Sequence, residues 1–151
     1  MLERMSKLLT GDILKVLCDM GHGDELVIAD ANFPAESIAA STGRALIRIP
    51  GVNASEFLES IMAVFPVDWK YSKEPALVME RTKEDADKPE PEAWKEFASI
   101  LLEKDGKEYG VTLGYLEREG FYERARKAYC VIQTGEERQY GNLILKKGVV
   151  L

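Results

Sequence analysis

Short apolar runs alternate along this chain with stretches of helical period, and that alternation restricts the fold more than any other feature. "ELVIAD" (25–30) has four apolar residues in a row, which suits a strand covered on both faces of a sheet. "RALIRI" (44–49), "ALVME" (76–80), "YGVTLGYL" (109–116), "YCVIQ" (129–133) and "NLILK" (142–146) read as further strands. Between them lie helical stripes at i, i+3, i+4, i+7: Leu58, Ile61, Met62 and Phe65, stopped by Pro66, and Trp94, Phe97, Ala98 and Leu101. Thr10 is placed to cap a first helix carrying Ile13, Leu17 and Met20, with Gly21 to end it, and "FYERARKA" (121–128) predicts a short late helix. Strand–helix alternation implies an α/β fold in three layers, a largely parallel central sheet covered by helices. At 151 residues a single domain over 1–151 is expected. The charged, proline-containing stretch "RTKEDADKPEPE" (81–92) reads as an exposed loop.

Composition excludes several functions. With 20 basic and 26 acidic side chains the net charge is −6, which argues against a phosphate-tracking surface and so against nucleic acid. No apolar run approaches the roughly 20 residues that cross a bilayer. The N-terminal stretch "MLERMSKLLT" has no secretory pattern, so a cytoplasmic protein is expected. Cys18 and Cys130 lie far apart in apolar-periodic segments, which predicts two buried, reduced thiols. Neither has a second ligand at metal spacing, so no metal is expected.

The chemistry concentrates in few places. "MGHGDELVIADANFPA" (20–35) holds the only histidine, His22, between two glycines. A dinucleotide reading of Gly21–His22–Gly23 fails because the order is helix, glycines, strand, whereas the fingerprint needs its glycines between a strand and the helix they open. The residues leave His22 open between a proton shuttle, since an imidazole ordinarily titrates near 6.5, and a plain loop residue. Asp30 closes a buried strand, where ligands collect in open α/β sheets, yet "D-x-N-x-P" is also good turn chemistry. Tyr140, Gly141 and Asn142 precede the last strand, where a hairpin turn accounts for them equally well. Arg118, Tyr122 and Arg124 read as a solvated face.

Taken together, "MGHGDELVIADANFPAES" (20–37), "FYERARKAYCVIQTGE" (121–136) and "YGNLILKKGV" (140–149) resemble the fucose branch of the ribose pyranase/fucose mutarotase family. The resemblance implies an enzyme that interconverts anomers and ring forms of a free monosaccharide without cofactor or metal. By that resemblance His22 is the acid–base group, and Asp30, Arg118, Tyr140, Gly141 and Asn142 hold sugar hydroxyls. Phe33 or Tyr122 would supply an apolar wall. The family's assembly, pentameric rings paired into a decamer with sites near subunit contacts, implies a homo-oligomer. A ribose pyranase and a non-catalytic sugar-binding module are the alternatives.

Overall fold

The computed structural model describes residues 3–150 and shows an α/β fold with helices on both faces of one six-stranded sheet. Helix α1 (Gly11–Asp19) starts where expected, with the Thr10 hydroxyl accepting from the Ile13 N–H. It ends at Asp19, however, two residues before Gly21, with Met20 extended. The ammonium of Lys147 donates to the carbonyls of Leu17 and Met20, two of the acceptors left open at the helix end.

The strands are β1 (Glu25–Ala29), β2 (Ala45–Ile49), β3 (Ala76–Met79), β4 (Gly114–Leu116), β5 (Cys130–Thr134) and β6 (Leu143–Lys146), in the order β2-β5-β1-β6-β3-β4. Five strands run the same way, and β6 lies antiparallel between β1 and β3. The largely parallel sheet is therefore as expected, with one reversed interior strand. Strand β1 is buried on both faces: Leu26 and Ile28 enter one core, Val27 and Ala29 the other. The first core receives α1, α3 (Ala54–Ile61) and α4 (Glu92–Leu101) through Leu17, Phe57, Ile61 and Phe97. The second receives α2 (Ala35–Thr42) and α5 (Arg118–Lys127) through Ile38, Phe121 and Ala125. Burial on both sides is why β1 reads as an unbroken apolar run.

Several expectations are corrected. The 109–116 strand shrinks to Gly114–Leu116. Helix α5 begins at Arg118, three residues early, because the Glu117 carboxylate accepts from the N–H groups of Glu119 and Gly120. Residues 135–142 do not form a hairpin: β1 sits between β5 and β6, so the chain must cross over it. Cys130 is buried at the start of β5, its thiol pushed up to about 12 by burial, but Cys18 is exposed. One position beyond Leu17, it points off the apolar stripe of α1. Residues 81–91 are largely exposed, as expected, with one tight turn at Lys83–Asp85. Among the described residues no helix is long and apolar enough to cross a membrane.

Gly135 shows how closely the crossover is packed. Its N–H donates to the Val52 carbonyl at 2.7 Å, and a Cβ would lie 2.0 Å from the Pro50 oxygen. Gly135→Ala is expected to lose about 1–3 kcal/mol, the usual cost of overpacking, measured by urea unfolding. Wild-type stability in this variant would refute the contact.

Candidate active site

A cavity of 320 Å³ opens at the carboxyl ends of β1 and β3, the end of the sheet where α/β folds place ligands. Asp30 follows β1, Met79 ends β3, Arg118 follows β4, and Tyr140 and Asn142 precede the reversed β6. Because β6 is antiparallel, its start meets the ends of the others. Four of the residues expected to hold a sugar, Asp30, Arg118, Tyr140 and Asn142, thus line one cavity.

Asn142 is locked at both ends of its amide. Its Oδ1 accepts from the Asp30 N–H at 2.9 Å and its Nδ2 donates to Asp30 Oδ2 at 2.6 Å. Asp30 Oδ1 accepts from the Asn32 N–H, so the turn-forming and site-forming readings of Asp30 both hold. Asp30 is 5% exposed, and burial pushes its carboxyl above the ordinary range despite the opposing hydrogen bonds from Asn142, Asn32 and Phe33. Phe33 meets the rings of Phe121 and Tyr122 edge-on, giving the apolar wall. Arg118, exposed on the first residue of α5, also lines the cavity.

Tyr140 has φ 64°, a left-handed conformation costing a non-glycine residue about 1–3 kcal/mol. Three groups hold it: Trp94 Nε1 donates to its carbonyl, its hydroxyl donates to Asp85, and the Thr82 N–H donates to its hydroxyl oxygen. Gly141 does not line the cavity. A Cβ there would lie 2.5 Å from Glu136 Cγ, so the glycine lets the loop fold over that side chain. Glu136 is itself buried and paired with Arg138, which also pairs with Glu96. Burial alone would raise the Glu136 carboxyl, but Arg138 outweighs it and holds the group below its ordinary range.

His22 is elsewhere. It precedes β1, whereas Asp30 follows it, and the five residues of that strand alone span about 16 Å at ~3.3 Å each. Its Nε2 lies 3.3 Å from Oδ2 of Asp68, and Tyr71 meets the ring edge-on. Asp68 is buried, and its Oδ1 has no hydrogen-bond partner among the described residues. Sequence reasoning missed this carboxylate: "PVDWK" (66–70) offers only one acid between two apolar residues, with no spacing to connect it to His22. Gly23, at φ 87°, turns the chain here, and its N–H donates to the Lys147 carbonyl. Gly148 lets the chain lie against Asp68, since a Cβ would sit 2.9 Å from the Asp68 Cα. With Nε2 facing a buried carboxylate, Nδ1 is the ring nitrogen available to a ligand. His22 borders an apolar groove of 600 Å³ shared with Leu14, Cys18, Val64 and Val149.

The RbsD / FucU transport protein family model matches residues 3–150. The chain is 45% identical to the fucose mutarotase of Mus musculus, covering 99% of this chain and 95% of that one. Among solved structures it is similar to the fucose mutarotase of Streptococcus pneumoniae in complex with L-fucose, at 39% identity and TM-score 0.85, covering 99% of this chain and 100% of that one. RbsD of Bacillus subtilis complexed with D-ribose is further away, at 26% identity and TM-score 0.72 over 100% of both chains. On a family match spanning nearly the whole chain, with the expected polar residues gathered at one sheet end, the protein belongs to the RbsD / FucU family.

Proposed function

We propose that the protein is an L-fucose mutarotase, exchanging the α and β anomers of the free sugar by general acid–base ring opening in one domain. The full-length likeness to fucose mutarotases carries this reading, and the greater distance from the ribose-bound relative ranks ribose second. The bond that breaks joins the anomeric carbon to the ring oxygen. One proton leaves the anomeric hydroxyl, one reaches the ring oxygen, and re-closure on the other face of the aldehyde gives the other anomer. Asp30 accepts from sugar hydroxyls and Arg118 donates to them, both as charge-assisted bonds. Phe33 and Tyr122 face the apolar side of the ring. One positioned acid–base group typically contributes ~10²–10⁴-fold, enough for a reaction that already proceeds in water.

His22 is the group suited to that work, and Asp68 orients it. Within one chain it lies across β1 from the pocket, so the His22 that serves a given sugar comes from a neighbouring copy. A contact between two different patches closes into a ring when its rotation divides the full turn, and a fifth of a turn fits a decamer of two pentameric rings. The apolar groove beside His22, with Val64, Tyr71 and Val150 exposed near it, is the surface such a neighbour would cover. Two free cysteines, one of them exposed, support a reducing cytoplasmic setting. No cofactor or metal is assigned a role.

The test is magnetisation exchange between the anomers of L-fucose, with ribose run in parallel. Acceleration with L-fucose above ribose is expected. An exchange rate equal to that in buffer would sink the assignment, and a preference for ribose would move it to the pyranase branch.

A further inference from the structure

The charged segment 81–91 has no part in the function so far, yet one of its side chains reaches the cavity. Asp85 lines it beside Arg118 and Tyr140. The Tyr140 hydroxyl donates to Asp85 Oδ2 at 2.7 Å, and its oxygen accepts from the Thr82 N–H at 3.2 Å. Lys88 Nζ lies 2.7 Å from the other Asp85 oxygen and fixes the carboxylate from behind. The Lys88 and Tyr140 hydrogen bonds hold the Asp85 carboxyl below its ordinary range, so it remains an acceptor near neutrality.

A phenol has one proton to donate and two lone pairs. Here the proton is committed to Asp85, the Thr82 N–H occupies one lone pair, and the Thr82 hydroxyl stands off at a long 3.4 Å, a contact that a ligand hydroxyl donating at normal distance displaces. The capacity left for a ligand is that of an acceptor. We propose that Asp85 is a positioning residue that sets the specificity of the pocket: it makes Tyr140 an acceptor, so that a sugar hydroxyl must donate at that point. The inference rests on the sugar-binding reading of the pocket, and it gives the 81–91 loop a role in recognition. It also makes the backbone strain at Tyr140 intelligible, since a hydroxyl with a fixed polarity needs a fixed ring.

The experiment is calorimetric binding of L-fucose and of its analogues with fluorine replacing the hydroxyl at C2, C3 or C4, since fluorine cannot donate. Wild type is expected to bind one analogue about tenfold more weakly than L-fucose, the loss of one hydrogen bond. In Asp85→Asn the amide can donate to the phenol oxygen and free the Tyr140 proton for the ligand, so that ratio falls toward one. It also falls toward one in Tyr140→Phe, and adding Asp85→Asn to Tyr140→Phe changes L-fucose affinity no further. An unchanged ratio in Asp85→Asn overturns the proposal, as does a full additional loss in the Tyr140→Phe background, which would mark a merely structural role. Anomer exchange measured on the same samples separates the two readings. Wild type that binds L-fucose without accelerating exchange refutes the mutarotase and leaves the Asp85 result standing.

Discussion

His22→Ala is expected to lower catalysed exchange of L-fucose anomers by about 10²- to 10⁴-fold, the contribution of one general acid–base group, while the protein stays folded. The imidazole has a side-chain exposure of 46% and fills no core position, so its removal leaves no cavity. The cost falls on the chemistry, because no other histidine exists to take its place. The pocket around Asp30 and Asn142 lies at the other end of the same chain's sheet and keeps its geometry, so calorimetric affinity for L-fucose should change far less than the rate. Asp68→Asn keeps the ring but loses the charge that orients it, and its rate should fall between the two. Full activity in His22→Ala would remove His22 from the mechanism. A collapse of binding equal to the collapse in rate would make it a binding group instead.

Asn142→Asp is expected to have the largest effect on stability. It removes the amide donor at 2.6 Å from Asp30 and sets a second buried carboxylate against the first. An uncompensated buried charge costs about 3–5 kcal/mol, so the variant should unfold at much lower urea than wild type at neutral pH. The sign with pH follows from Asp30, whose carboxyl burial already raises above its unfolded value. A raised carboxyl weakens the fold above its folded pKa, and the penalty disappears as pH falls through it. Two carboxylates in contact raise the pair further, since a shared proton is the only stable arrangement. The gap between variant and wild type should therefore narrow from neutrality toward the ordinary carboxylate range. A gap that is constant with pH would mean that the amide matters for its shape alone.

The layers of this fold were legible because both-face burial writes itself into β1 as an unbroken apolar run, and the helical stripes at Leu58–Phe65 and Trp94–Leu101 have one period each, although α3 ends at Ile61, four residues short of Phe65. The place of β6 was not legible. "NLILK" reads the same in either direction, and its insertion beside β1 is decided by partners more than a hundred residues away. Its place beyond β1 rather than beside β5 turned an expected hairpin at 135–142 into a crossover, and its reversed direction is what brings Tyr140 and Asn142 to Asp30. The polar wall of the pocket could be named from sequence because its residues sit in two specific blocks. His22 and Asp30 are eight positions apart and share a block, so nothing local revealed that a whole strand separates them. Asp68 and Asp85 went unseen for opposite reasons: one is a lone acid between two apolar residues, the other one acid among many in an exposed loop.

The central claim is that one chain's His22 works on sugar held by another chain's Asp30. It is tested by co-expressing His22→Ala and Asp30→Ala protomers with different tags and isolating the mixed oligomers. Circular dichroism first establishes that each variant folds, and each alone should be nearly inactive. With random mixing, about a quarter of contacts pair an intact His22 with an intact pocket, so the mixed assembly should regain about a quarter of wild-type anomer exchange. Exchange no faster than the average of the two parent variants would contradict the shared site.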